Sequence, residues 1–453
     1  MKHVLTSAGL VALGVTALQA FDPQMTRQQT GRPFTVAATV RGFYDDNVNL
    51  SPKRTVRNYP FPGEEESLGV EVSPSIHLNL PMEQTFISLG YTYSLKWYEE
   101  RSPRNYDQSH EFNGKLRHQF GPKHDIGIDD SFVVSSEPTV VDRGGIITTP
   151  IRSRSRSGVM HNRGAIEDNI WLTQQIGLSF GYVNNWYDYE QENVRATGAR
   201  SFPYPFDPRD VVGSRSALLD RIEHLFRADA RYQVNPKLVA LVGYMFGLNT
   251  YTGDDVIANT RTVAPGVTVP LVPPLMSDDR DNTTHYIYGG ADFDLTAQLR
   301  ASVRLGGQFT DYDEGGSSAN PYADASLAYV YLPGSSVDVG IRHHRHATDI
   351  VTPDSGGTPT LDGESTVVYA QVTHKITHAL TGSLIGQYQT TEFNDGFNDG
   401  RGEDLFLVGV NLEYRINRHL STEVGYNWDR LLADVGGRSY VRNRVYIGLR
   451  ASY

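Results

Sequence analysis

Charged side chains recur two positions apart in several stretches of the chain, and on an extended backbone residues two apart face the same way. The cations in such positions are Lys115 and Arg117; Arg221, Arg227 and Arg231; Arg300 and Arg304; Arg342; Lys375; Arg415; and Arg442, Arg444 and Arg450. Acids interleave with them: Glu111, Asp125, Asp129, Glu223, Asp229, Asp292, Asp294, Asp338, Glu413, Glu423 and Asp429. On neighbouring strands, opposite charges form cross-strand pairs of about 0.2–1 kcal/mol each and hold register. On facing walls of a wet pore, the same charges set a transverse field that filters ions and orients dipolar solutes.

Other chemistries have weaker support. Arg342-His343-His344-Arg345-His346 puts two imidazoles, His344 and His346, on one face of a strand, but the arginines disfavour a cation and no third ligand is evident. The segment Asn394 to Asp404 is rich in oxygen ligands, yet its spacing departs from the EF-hand loop and its Asn, Asp and Gly residues are those of tight turns. Scattered Ser, His and Asp residues form no recognisable nucleophile motif, so the chain is not expected to be an enzyme. With no cysteine there are no disulfides, thiolate metal sites or cysteine nucleophiles. No metal or cofactor is expected. The formal net charge of −11 argues against a nucleic-acid partner.

The elements that must position these charges are strands. Leu68, Val70, Val72, Ile76, Leu78 and Leu80 alternate with Gly69, Glu71, Ser73, Ser75, His77 and Asn79, and after Pro81 to Gln84 the pattern resumes with Ile87, Leu89, Tyr91, Tyr93, Leu95 and Trp97. Short turns recur at Gly121-Pro122-Lys123, Asn235-Pro236-Lys237, Pro333-Gly334-Ser335 and Asn417-Arg418-His419. They alternate strictly with long polar connections, notably 46–65, 137–157, 190–216, 252–281 and 347–363. In two of these, 190–216 and 252–281, stiff Pro-rich and aromatic stretches stand out, including Phe202-Pro203-Tyr204-Pro205-Phe206. Short turns, long loops and one greasy strand face are the pattern of a transmembrane antiparallel outer-membrane β-barrel. About 18 strands fit, with sixteen possible because the first strand (Val36, Ala38, Val40, Tyr44) and the one near Ala323 to Tyr331 are weakly patterned. An even count puts both ends in the periplasm, and a barrel of this size leaves an aqueous lumen.

Met1-Lys2-His3, the apolar run from Val4 to Val15 and Ala17-Leu18-Gln19-Ala20 read as a secretory signal. The expected organisation is a signal peptide over 1–20, a short periplasmic segment over 21–33, and one barrel over 34–453. At the far end Val445, Ile447, Leu449, Ala451 and Tyr453 share one face, with Arg444, Tyr446, Gly448, Arg450 and Ser452 on the other. This resembles the closing strand of bacterial outer-membrane proteins, in which an aromatic last residue, here Tyr453, serves as an assembly signal for the barrel-assembly machinery. The opening Gly42-Phe43-Tyr44-Asp45-Asp46-Asn47-Val48 resembles that of a family of outer-membrane β-barrel porins associated with exopolysaccharide gene neighbourhoods.

The resemblance implies a large porin-like barrel in a Gram-negative outer membrane and carries no catalytic residues over. The expected function is passive passage of small hydrophilic solutes, saccharides among them, past the lumenal charges. An exopolysaccharide export barrel and a non-conducting structural or adhesive protein are the alternatives. Expected partners are outer-membrane lipid and lipopolysaccharide, the assembly machinery, and the solute or polysaccharide; monomer and trimer are both compatible with the sequence.

Overall fold

Alternation with period two leaves no helical face to bury but makes a sheet with one apolar and one polar side. The computed structural model describes residues 33–52, 64–101, 105–136, 158–190, 215–253, 255–264, 267–314, 316–436 and 438–453. The expected signal segment, residues 21–32, connection 137–157 and residues 191–214, with the Phe202 to Phe206 stretch, lie outside the described residues.

The first half of the barrel is β1 (Phe34–Asp45), β2 (Ser67–Pro81), β3 (Thr85–Tyr98), β4 (Tyr106–Gly121), β5 (His124–Ser135), β6 (Val159–Trp171), β7 (Ile176–Tyr189), β8 (Arg221–Asn235) and β9 (Leu238–Tyr251). A short hairpin follows, β10 (Val256–Ala264) and β11 (Val267–Met276). The second half is β12 (Asn282–Asp294), β13 (Leu299–Tyr312), β14 (Gly316–Leu332), β15 (Ser335–His346), β16 (Asp362–Lys375), β17 (Leu380–Asn394), β18 (Gly402–Arg415), β19 (Leu420–Ala433) and β20 (Tyr440–Ser452). One short helix, α1 (Arg215–Leu219), precedes β8. Among the described residues no helix is long and apolar enough to cross a membrane.

Every strand but β10 and β11 belongs to one 18-stranded antiparallel sheet. β9 pairs directly with β12, and β1 pairs with β20 from Ala37↔Ser452 to Asp45↔Arg444, so the sheet is closed. The sixteen-strand alternative drops out because β1 and β14 each pair on both sides. Connection 252–281, expected to be an irregular loop, instead carries the β10–β11 hairpin, where β-branched residues such as Thr262 and Thr268 stand opposite each other. The strict alternation of short and long connections also has one exception: β13 and β14 are joined at the long-loop end by 313–315 alone, their ladder running right up to Tyr312↔Gly316.

The turns at the opposite end are all short, from 82–84 round to 416–419, and the start of β1 and the end of β20 lie there too. In outer-membrane barrels that end faces the periplasm. The outward face of the sheet is the apolar one: Leu89 is 50% exposed, Val242 66% and Ile447 64%. A closed barrel with an apolar exterior is the one sheet that satisfies its backbone in lipid.

Leu89→Arg on β3 is expected to cost about 2–4 kcal/mol at mid-membrane depth. Lys115→Arg, whose side chain is half exposed on the lumenal face of β4, should fold normally. Heat-modifiable gel mobility and urea titration in a lipid bilayer check both; equal stability of the two variants would overturn the assignment of faces.

Candidate functional site

The lumenal wall is built from the inward positions of the strands, and its charges gather in two clusters on opposite sides of the ring. The first joins β1, β2, β19 and β20. Arg41 Nε donates to Glu423 at 2.6 Å, and Arg41 Nη1 lies 3.4 Å from Glu71. Arg442 holds Asp45 at 2.5 Å and approaches Asp429 at 4.0 Å. Asp45 is 0% exposed and Arg442 3%, so each needs the other, since a buried charge without a partner is costly.

The opening motif belongs to this cluster. Beyond Asp45, both oxygens of Asp46 accept from Asn443, the backbone N–H and the side-chain amide, at 2.6 Å each. The amide of Asn47 donates to the Ser51 and Val441 carbonyls at 2.8 and 2.9 Å, and its Oδ1 accepts from the Ser51 N–H at 2.9 Å. Val48 is fully buried against Phe43, Tyr98 and Tyr446. These residues tie the outer end of the first strand to the last.

The second cluster spans β6 to β13. Arg227 lies 3.4 Å from Glu167 and 3.5 Å from Asp229. Arg304 donates to Asp292 at 2.8 Å, and Arg231 approaches the same carboxylate at 3.8 Å while lying over the Trp171 ring. Beside it Arg342 pairs with Asp324 at 2.6 Å, and Arg221 with Glu223 at 2.8 Å. Both walls therefore carry both signs, with the charges joined in pairs along each wall.

Other expected positions lie at the periplasmic rim or beside the first cluster. Arg300 and Asp294 pair at 3.3 Å at the periplasmic rim, with both side chains half exposed. Arg415 donates to the His378 carbonyl beside a periplasmic turn. Glu413 stands opposite Glu423, Arg444 between Asp45 and Asn427, and Arg450 between Thr39 and Ser421. Tyr453 exchanges backbone hydrogen bonds with Val36 at 2.9 and 3.1 Å, and its ring stacks on His419. His344 and His346 lie side by side on β15 with ring centroids 5.8 Å apart. Among the described residues no group of three or more ligating side chains could hold a metal. In the oxygen-rich segment, Asp399 accepts the Asp395 N–H at 3.0 Å. Gly396 and Gly400 there take φ of 71° and 68°, a left-handed turn that glycine permits.

Sequence reasoning missed three sets of residues. Arg41 and Glu71 sat in the alternation unremarked as a pair. The polar-in rule gave no sign of the apolar lumenal patch of Leu241, Met245 and Tyr288, nor of Leu405, Leu407 and Leu431 packed against Leu50. The third set is a cap over the outer mouth. Leu218 of α1, Ile257 and Leu275 of the hairpin, and Val351 of connection 347–361 form one buried cluster. Arg280, 0% exposed, donates to the carbonyls of Leu218 at 3.2 Å and Thr348 at 2.7 Å, and stacks on Tyr251. Arg438, between β19 and β20, bridges Asp349 at 2.8 Å and Glu403 at 3.0 Å. Phe397 N–H donates to Thr352, and Thr262 N–H to Pro353. A connection that leaves the rim between β15 and β16 and touches the β7–β8, β9–β12, β17–β18 and β19–β20 connections must cross the mouth.

Beneath it lies a cavity of 290 Å³ lined by Tyr187, Arg221, Tyr286, His344 and Asp349 among others. A larger one of 810 Å³ opens at the periplasmic end, lined by Lys123, Trp171, Arg231, Asp292 and Arg300.

Asp220, next to α1, accepts the Tyr189 N–H at 2.7 Å; burial pushes its carboxyl up to about 7 against that bond. A carboxyl raised on folding favours the folded cap while protonated. Its contribution is present at acid pH and is lost as pH rises from the ordinary carboxylate range through 7. Protection factors of the cap amides, taken relative to the intrinsic exchange rate at each pH, should therefore be higher at pH 5 than at pH 8, and Asp220→Asn should flatten that dependence. An unchanged pH profile in the variant would assign the effect elsewhere.

No curated protein matches the chain. Among solved structures it is similar to OccAB4 of Acinetobacter baumannii at 11% identity, covering 95% of this chain and 100% of that one with a TM-score of 0.40. Likewise, it is similar to the outer-membrane protein opdK of Pseudomonas aeruginosa at 10% identity, covering 93% and 99%, TM-score 0.40. A ferric enterobactin receptor of Pseudomonas aeruginosa aligns at 10% identity, covering 94% and 82%, TM-score 0.43. The heptad from Gly42 to Val48 lies outside the stretch that a family model matches. Residues 268–453, from within β11 through β20, match the model of the family described as "Putative beta-barrel porin 2", which supports a β-barrel porin family for this chain.

Proposed function

We propose that the protein is a porin-like channel of the outer membrane for passive passage of small hydrophilic solutes, narrowed by its own lumenal side chains and by the cap. The observation that carries this reading is the polar lumen with a cavity at each end, 290 Å³ under the cap and 810 Å³ at the periplasmic rim. Hydroxyl, amide and paired charged groups around the outer cavity suit polyhydroxylated solutes, so saccharides are one class it would pass.

Because the buried arginines are bonded to acids, their fields are largely cancelled locally, and ion preference falls to exposed rim charges. Arg300 is half exposed there. In planar bilayers the protein is expected to conduct, and Arg300→Glu is expected to shift the reversal potential in a salt gradient toward cation preference, most at low salt. A correctly folded barrel that conducts no ions would overturn the channel reading.

The cap favours a gated form of the same function. Asp349→Asn removes the charge that Arg438 draws across the mouth and leaves the Arg438–Glu403 pair intact. Single-channel conductance or open probability should rise in that variant. Unchanged gating would mean that the connection does not limit passage.

A further inference from the structure

On the lipid-facing side of the barrel one arrangement repeats. The hydroxyls of Tyr91, Tyr182 and Tyr244 are hydrogen-bonded to Nδ1 of His110, His224 and His285 at 2.9, 2.9 and 2.7 Å. Each tyrosine lies on a strand running toward the outer end and each histidine on the strand returning from it. In every case the residue directly opposite the tyrosine is apolar, Phe112, Phe226 or Ile287, and the histidine is two positions nearer the outer rim. The same diagonal step recurs as Tyr388 with Asp404, Tyr426 with Asn443 and Tyr44 with Glu66, at 2.9, 2.7 and 2.5 Å. Diagonal neighbours lie within reach of aromatic side chains, and the six partners all lie within the first five residues of their strands or just before them, so the repeats form a belt in the outer half of the barrel. Such belts sit where acyl chains give way to headgroups.

The belt is chemically two-sided. Its histidines lie on β4, β8 and β12; Asp404 and Asn443 lie across the ring on β18 and β20, and Glu66 lies beside β2, two strands from His110. A tyrosine that donates to Nδ1 fixes the tautomer and leaves Nε2–H as the ring's donor. No protein acceptor meets that nitrogen in His110, His224 or His285 among the described residues, while Phe112, Phe226 and Ile287 below them are 46, 46 and 58% exposed. A donor just above an exposed apolar residue matches an amphiphile whose anionic headgroup sits directly over its acyl chains. Across the ring the Asp404 carboxylate takes the histidine's place in the same diagonal step and repels that headgroup. We propose that His110, His224 and His285 form a binding arc for the phosphate groups of an outer-leaflet phosphorylated lipid, with its chains packed on the apolar residues below. This goes beyond the channel reading and does not depend on it, since conductance is set inside the barrel.

The test uses the full-length protein in a neutral maltoside detergent, titrated with diphosphoryl lipid A, and reads bound lipid by native mass spectrometry. Wild type should retain the lipid. His110→Phe, His224→Phe and His285→Phe together, which keep a ring at each site, should lower its apparent affinity by at least about tenfold, the scale of about 1.4 kcal/mol. Asp404→Phe on the other side should not. Equal retention by the triple variant, or equal loss with Asp404→Phe, overturns the proposal; displacement by excess inorganic phosphate overturns it in favour of a plain anion site. If the triple variant does not reach the heat-modifiable folded form, the 15N shifts of the three Nε2 atoms in wild type decide it. They should move on adding diphosphoryl lipid A and not on adding its dephosphorylated form, and unmoved shifts overturn it.

Discussion

The seam between the first and last strands is the constraint on which the structure depends, because a sheet in lipid cannot keep a free edge. Every other pair of barrel neighbours except β9 and β12 is joined by one direct connection, so its register is set locally. β1 and β20 meet across a sequence separation of 397 residues at Arg442 and Asp45, and no turn fixes their register. Side chains do so instead. Asp45, Asp46 and Asn47 each engage β20, at Arg442, Asn443 and Val441. A slip by one residue would turn Asp45 toward lipid, and a slip by two would leave both Asp45 and Arg442 buried without partners. The opening motif is thus a register lock placed where the ladder alone is degenerate.

The same logic shapes the lumen. Charges in a wide aqueous pore could stay solvated and unpaired, but Arg41, Glu423 and Arg442 are almost wholly buried, so they must be matched by neighbours. Matching cancels their field and makes them wall-building residues. Charges that keep a field are those left about half exposed, Arg300 and Asp294 at the periplasmic rim and Lys115 on the wall above it. Stability and selectivity are thereby divided between different sets of the same residue types.

Most of the fold was legible from alternation, because period two survives wherever one face meets lipid: Leu89 and Thr92, or Ile447 and Arg450, fall on the faces that the sequence assigns. The ion pairs were legible as faces but not as partners, since a strand's sequence says which way Arg442 points and not which neighbour it meets. Tyr288 and Leu241 were hidden for the opposite reason. An apolar residue at an inward position reads as noise in an outward pattern, and only a narrowed lumen makes it useful. The cap was least legible, because its cluster draws single residues such as Leu218, Ile257 and Val351 from separate connections that share no period.

The cap and the wall are held by different interactions, and that separates their stabilities. Each wall strand is bound on both sides by a continuous ladder, so no strand can leave without exposing a row of backbone groups to lipid. The cap connection is held by a small apolar cluster, Arg280's bonds to two carbonyls, the Asp349–Arg438 pair and a few backbone contacts. None of these belongs to the barrel ladder. Local opening draws on the weakest cooperative unit, and undocking of the connection from Ala347 to Leu361 would break no pairing of the eighteen strands. The tyrosine belt on the outside of the barrel shares no residue with the cap. Under the proposed gated reading, such undocking would change the aperture while the membrane-facing surface keeps its own separate contacts.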